Sequence, residues 1–235
     1  MPRSNSILKY FIEFTVIVLG VSASFWVEEY REKLQNKEEK FKVLNNLKIE
    51  LDEIDVFSLE RKLMFTKDEK ILYHLMSEDQ HSIDSLKEII KSYDEINIAV
   101  IDYRGFGPPL NRYNSIISEG TLKFVESDSI KQLLSQLHNT FFKYINANVS
   151  DEKIIQQKIS LYLADNYPQT FLDQDQLSLD ESIINLRSII MNDTNFKAYL
   201  KIKLRTMTVK TFFLEKYYDT LVDLRDKIEK KLIKR

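Results

Sequence analysis

The chain contains no cysteine. That excludes a disulfide framework, a thiolate zinc site and a cysteine nucleophile, and it suits a periplasmic domain. Glycine and proline are scarce, with four of each in 235 residues. The prolines are Pro2, Pro108, Pro109 and Pro168, and between Gly20 and Gly105 neither residue type occurs. Both disfavour helix interiors, so this long stretch favours helix. No sign of charge dominates: 34 Lys and Arg stand against 36 Asp and Glu, interleaved along the chain. A nucleic-acid binder needs a basic face, so nucleic acid is not an expected partner. The three histidines, His74, His81 and His138, are far apart and in no ligand spacing. His138 follows Leu137 on an amphipathic stretch, where a surface or boundary position is expected.

Catalytic motifs are missing as well. The loop Arg104, Gly105, Phe106, Gly107, Pro108, Pro109 lacks the spacing of either nucleotide-binding glycine motif. Asp173 and Asp175 imitate the start of a calcium loop, but Leu177 holds the next ligand position and no glycine follows. The acidic pairs Glu28–Glu29 and Glu38–Glu39 read as solvated helix surface. From these residues we expect no cofactor, no metal and no enzyme activity.

What is present begins with residues 7–27, ILKYFIEFTVIVLGVSASFWV. About 20 apolar residues span a bilayer core as a helix. Tyr10 and Phe11 lie near one end and Phe25 and Trp26 near the other, as an interfacial aromatic belt requires; Tyr10 and Trp26 are the expected anchors. A cleaved signal peptide is the competing reading, with Ser22, Ala23 and Ser24 imitating a cleavage site. The charged helix that follows directly favours a retained anchor. Glu13 lies inside the span, four residues from Lys9 and hence on its face. An ionisable group there is expensive. It reads as a partner of Lys9 or of a neighbouring subunit, or else as a proton relay. Gly20 and Ser24 form a small-xxx-small pair that lets helices approach closely. With Glu13 they point to self-association within the membrane.

Beyond the span the helix is expected to run on unbroken through strong helix formers. Leu44, Leu47, Leu51 and Ile54 step by three and four, and the stripe is carried on by Leu63, Ile71, Leu72 and Leu75 until residues 79–82 break it. A short helix over 83–92 with Ser82 as N-cap comes next, then a strand-like run over 96–103. Residues 110–119 read as helix with Gly120 just past its end. Ser127 or Asp128 opens a longer helix carrying Ile130, Leu134, Leu137, Phe141 and Tyr144, weakening towards Leu163 and stopped by Pro168. Asn192, Asp193 and Thr194 cap a last helix with a near-heptad seam, Leu200, Leu204, Met207, Thr211, Leu214, Tyr218, Leu221, Leu224, Ile228 and Leu232. Three long helices of this kind predict an all-α fold: a membrane helix continuing into a long helix, then an elongated antiparallel bundle. Residues 1–27 form the tail and anchor and 28–235 the helical soluble domain.

The chain closes on Lys230, Lys231, Lys234 and Arg235. If the last helix runs antiparallel to the first, this tail returns to the bilayer and meets anionic headgroups. A solvated basic helix end, favourable to the macrodipole, is the simpler reading. Orientation is open. Lysine and arginine counts on either side of the span place the domain in the cytoplasm, while a short N-terminal tail with a long C-terminal domain suits the opposite arrangement.

Two segments carry a resemblance. One is Glu13 followed by Gly20 in the span. The other runs from Tyr113 through Ile116, Ser118, Gly120 and Leu122 to Val125, ahead of an amphipathic helix. Together they resemble an uncharacterised family of Gram-negative bacterial single-span inner-membrane proteins with a helical soluble domain. The resemblance covers the N-terminal third and the middle. It departs after the span, where members often carry asparagine and tryptophan and this chain has Phe25 and Trp26 before Glu28 and Glu29. It implies membrane anchorage, a periplasmic domain and no established activity. Gly120 would then be a left-handed turn, with Leu122 and Val125 as core contacts. The expected function is a non-enzymatic, self-associating membrane scaffold whose partners are the lipid bilayer and a second copy or another membrane protein. The alternative is a transport or ion-conducting subunit in which Glu13 titrates.

Overall fold

A computed structural model of the chain describes residues 4–79, 81–172 and 178–233. Among them there is helix and no strand. The helices are α1 (Ser4–Met76), α2 (His81–Ile89), α3 (Tyr93–Ile101), α4 (Asn111–Ser118), α5 (Asp128–Ser135), α6 (Phe142–Asn166), α7 (Gln169–Leu172), α8 (Leu179–Asn192) and α9 (Thr194–Ile233). A π turn, Gln136–Phe141, joins α5 to α6 without a break. At 1.5 Å per residue α1 is roughly 110 Å long and α9 about 60 Å.

Helices α1 and α9 run antiparallel, and polar contacts fix their register. Lys48 meets Glu229 at 3.5 Å, Asp55 meets Arg225 at 2.5 Å, and Lys62 meets Glu215 at 3.6 Å. Farther along, Glu69 accepts from the Thr208 hydroxyl at 2.6 Å and Glu78 meets Lys197 at 3.0 Å. Helix α6 also runs antiparallel to α9, with Tyr144 stacked on Phe213 and Tyr162 on Phe196. The shorter helices close the far end. Arg187 of α8 donates to the carbonyls of His74 and, at 2.7 Å, Ser77, which supplies partners to the last turn of α1.

The core falls into two apolar clusters. One joins Leu44, Leu47, Leu51 and Ile54 to Leu214, Tyr217, Leu221, Leu224 and Ile228, with Phe106 and Ile130. The other joins Ile71, Leu72 and Leu75 to Ile159, Leu163, Ile190, Phe196, Leu200 and Met207. The buried stripe of α1 runs on through Ser58, Phe65 and Asp68, with half-buried Arg61 and Lys62 in the seven-residue step between Ser58 and Phe65. Leu63, expected in the stripe, is 74% exposed. In α9 the buried seam is Phe196, Leu200, Lys203, Met207, Lys210, Leu214, Tyr217, Leu221, Leu224 and Ile228. Leu204, Thr211 and Tyr218 lie one residue off it, half-buried. Buried lysines at two heptad positions displaced the sequence reading.

Three more local differences have physical causes. Residues 96–101 are helical in spite of their β-branched content. Ile96, Ala99 and Val100 are buried at helical spacing, Asp94 and Glu95 sit in the favourable first turn, and Glu95 meets Lys67 at 2.7 Å. Ser82 lies within α2 rather than before it; Asp79 accepts from the His81 amide at 3.0 Å and opens the helix. The π turn inserts one residue, so the stripe of Ile130, Leu134 and Leu137 passes to Ile145, Val149 and Ile159 and leaves Tyr144 exposed. The turn after α4 is as expected: Gly120 has φ +67°, Val125 is buried and Leu122 packs against the core.

Candidate functional site

Helix α1 is the one helix among the described residues long and apolar enough to cross a membrane. Its apolar window is not buried by any of the other described residues. Tyr10 and Trp26 are fully displayed near its two ends. Glu13 and Lys9 approach to 3.9 Å, an ion-pair distance without a hydrogen bond. A methyl group added at Gly20 would meet nothing within 4 Å, so this side of the helix is open to close approach. The Ser24 hydroxyl donates to the Gly20 carbonyl at 2.9 Å. Gly20 and Ser24 are thus joined on one face, with the hydroxyl proton spent inside the helix.

The C-terminal end of α9 reaches back to α1 soon after that window. Lys231 and Leu232 line a groove of 510 Å³ with Leu34, Lys37, Glu38, Lys40, Phe41 and Leu44. Leu34 is seven residues past Val27, about 10 Å along the helix. Lys40 pairs with Glu126, which its ammonium holds below the usual carboxylate range. Lys230 pairs with Asp226 on its own helix, which raises its pKa. Lys234 and Arg235 lie outside the described residues. The antiparallel return expected of the basic tail is present as far as Lys231.

Two buried polar constellations were not anticipated from sequence. The first separates the two apolar clusters. Lys210 pairs with Glu152, their side chains only 2% and 3% exposed, and its ammonium sits 4.0 Å from the centre of the Phe65 ring. Lys203 donates to the carbonyls of Val100 at 3.0 Å and Asp102 at 2.6 Å. Gln156 donates to Ile101 at 2.7 Å. A cation at these carbonyls complements the C-terminus of α3. Burial pushes Lys203 down to about 8, opposed by the charge of Glu152. Arg104 grips Asp68 with two nitrogens, at 2.5 and 3.3 Å. This layer ties α1, α3, α6 and α9 together. Sliding α9 by one turn would bury its charges without partners, so the layer fixes register.

The second constellation lies under α4. Glu50, buried on α1, accepts from the amides of Arg112 at 2.6 Å and Tyr113 at 3.0 Å and so caps the helix. Burial raises its pKa, against those two amides. His138, in the π turn, is buried and stacks on Tyr113 with ring centroids 3.8 Å apart. The surface or boundary position expected for it is wrong, because the inserted residue turns it inward. Burial pushes it down to about 4, so it is neutral at physiological pH. Among the described residues neither ring nitrogen has a hydrogen-bond partner, and the same holds for the Tyr217 hydroxyl, whose pKa burial raises. The only sequence signal for either constellation was a charged residue where a heptad required an apolar one.

Glu50 of the second constellation lines a surface pocket with Glu53, Pro109, Asn111, Arg112 and Ser115. Among the described residues no group of three or more His, Asp or Glu side chains is placed to hold a metal ion. Of the residues singled out from sequence, Tyr10, Glu13, Gly20, Ser24 and Trp26 stand exposed along the N-terminal part of α1, and Lys230 and Lys231 stand at the end of α9. No family model, no curated protein and no solved structure matches the chain.

Proposed function

We propose that this chain is a membrane-anchored helical scaffold that self-associates through its N-terminal helix. The observation that carries the reading is the state of α1: its apolar window is not buried by any of the other described residues, yet the same unbroken helix becomes the spine of the bundle. An apolar stretch of that length, uncovered by the described residues around it, suits a bilayer. A continuous helix then holds the bundle at a fixed distance and angle from that bilayer. Buried charges in the bundle serve register rather than chemistry, which supports a structural role. Glu13, Gly20 and Ser24 supply the close-packing face, Tyr10 and Trp26 the interfacial anchors, and Lys230 and Lys231, with Lys234 and Arg235 after them, contacts to anionic lipid. By its resemblance to the Gram-negative single-span family, the membrane is a bacterial inner membrane and the bundle periplasmic.

A second reading rests on one observation, a carboxylate inside an apolar helix with only Lys9 near it. In that reading Glu13 titrates within a transport or ion-conducting assembly. Glu13→Gln separates the two, since glutamine keeps hydrogen-bonding shape and cannot exchange a proton. With two differently tagged copies in one membrane, a scaffold retains mutual capture in Glu13→Gln and a relay loses proton flux. Absence of mutual capture in the wild-type chain would refute self-association.

A further inference from the structure

Every residue from Val16 to Glu38 is exposed, so this part of α1 has no cover from the other described residues. Along and beyond it the positions Glu13, Val16, Gly20, Ala23, Val27, Tyr30, Leu34, Lys37, Phe41 and the buried Leu44 follow a strict three-four step. That is a heptad seam, with Glu13, Gly20, Val27, Leu34 and Phe41 at its a positions and Val16, Ala23, Tyr30, Lys37 and Leu44 at d. Val27, Tyr30 and Leu34 are 55%, 62% and 47% exposed, large apolar side chains on a segment that is otherwise charged. All the acidic residues from Glu28 to Glu39 except Glu38 fall on the outward b, c and f positions. Of the flanking g positions Trp26, Lys33 and Lys40 and e positions Arg31 and Glu38, Lys33 and Glu38 meet as opposite charges across a parallel, in-register pair of identical helices.

The seam also has a defined end. At Leu44 the step changes from 41, 44 and 48 to 44, 47 and 51, and from there α9 covers the stripe. The last seam position, Leu44, is already buried against α9, and the uncovered part of the seam, from Gly20 to Phe41, lies on the adjoining face of α1. A second helix on the seam lies beside the end of α9, whose Lys231 and Leu232 form the other wall of its groove. It enters the 510 Å³ groove, whose α1 lining, Leu34, Lys37, Glu38, Lys40, Phe41 and Leu44, consists of a, d, e and g positions alone.

From this we infer that two copies of the chain form a parallel, in-register coiled coil along α1 from Gly20 to Phe41, crossing from the apolar window into the charged segment without a change of register. The inference rests on the scaffold reading and names its interface. The seam runs through the window at Gly20 and Ala23, so its occupant must itself be a helix crossing the membrane. The charge pattern selects an identical one. The polar Lys37 at a d position fixes the register at a cost in stability, as single polar core residues do.

Single cysteines introduced into the full-length chain, which has none of its own, test this in native membranes. Val27→Cys and Leu34→Cys stand at a positions one heptad apart; Glu32→Cys and Gln35→Cys face outward at f and b. Under a mild oxidant the first two are expected to give a homodimer on a non-reducing gel at least about tenfold more efficiently than the second two. Self-crosslinking at both Val27 and Leu34 requires parallel, in-register helices. Uniform crosslinking, crosslinking stronger at Glu32 or Gln35, or none at all overturns the seam. If differently tagged copies still capture one another in that case, self-association stands and lies elsewhere. If they do not, the scaffold reading falls with it.

Discussion

Consider removal of the Glu152 carboxylate by Glu152→Leu. The side chain is almost fully buried and pairs with Lys210. Its charge also supports Lys203, which Lys210 repels. Without Glu152, two buried ammonium groups face one another with Asp68, already gripped by Arg104, as the nearest remaining carboxylate influence. Breaking one partner of a buried pair costs about 3–5 kcal/mol, and the second lysine places this variant at the upper end. Lys210→Met leaves Glu152 the attraction of Lys203, so about 3 kcal/mol is expected on the same scale. The double variant Glu152→Leu with Lys210→Met restores a neutral, filled core and relieves Lys203 of its repulsion. It should lie within about 1 kcal/mol of the wild type or above it. Urea titration of the detergent-solubilised chain, followed by helical circular dichroism, reads all three. Single variants indistinguishable from wild type, or a double variant as unstable as the sum of the singles, would refute the account of this layer.

Two further predictions concern the constellation under α4. His138 is neutral in the folded chain, with a pKa pushed from 6.5 down to about 4. The unfolded chain binds the proton first on acidification, so the stability due to neutral burial is full above pH 6.5 and is lost as pH falls towards 4. The loss amounts to about 3 kcal/mol, and His138→Phe should flatten that part of the profile of urea midpoint against pH. Gly120 stands at φ +67° with open space around its missing side chain. Gly120→Ala should therefore cost about 1–2 kcal/mol in the same titration, from backbone strain alone, and Gly120→Asn less.

Much of the apolar stripes was legible, although Leu63 of α1 is exposed and Leu204 and Tyr218 of α9 stand one residue off the buried seam. Leu44 to Ile54 in α1 and Leu214 to Ile228 in α9 are core as their spacing requires. So is the turn at Gly120, because a left-handed residue after a helix is nearly obligatory for glycine. The readings failed where a charged side chain occupies a heptad position. Asp68, Glu152, Lys203 and Lys210 each look like surface in a local window, and only the partner helix makes each one a core residue. The π turn was invisible for another reason. It leaves composition unchanged and moves every later contact by one residue, which is why Tyr144 was expected in place of Ile145. Residues 96–101 carry β-branched side chains whose preference is overridden by packing against α1 and α6. The groove beside Leu34 was legible only in half, as a basic tail returning along α1. Its other wall needed the register between α1 and α9.

Side of the membrane is decided by labelling. With Ser4→Cys and Ser150→Cys placed singly in intact cells, a membrane-impermeant thiol reagent should reach Ser150→Cys, on the exposed face of α6, without permeabilisation. Labelling of Ser150→Cys only after the inner membrane is breached would place the bundle in the cytoplasm instead.

The central claim, an anchored chain that associates with itself, is tested most directly by the detergent-corrected mass of the full-length protein from size exclusion with light scattering. The account predicts a protein mass twice the 27.9 kDa of one chain, or a higher whole multiple. A protein mass of one chain that persists at the highest concentrations and in the mildest detergents would contradict it.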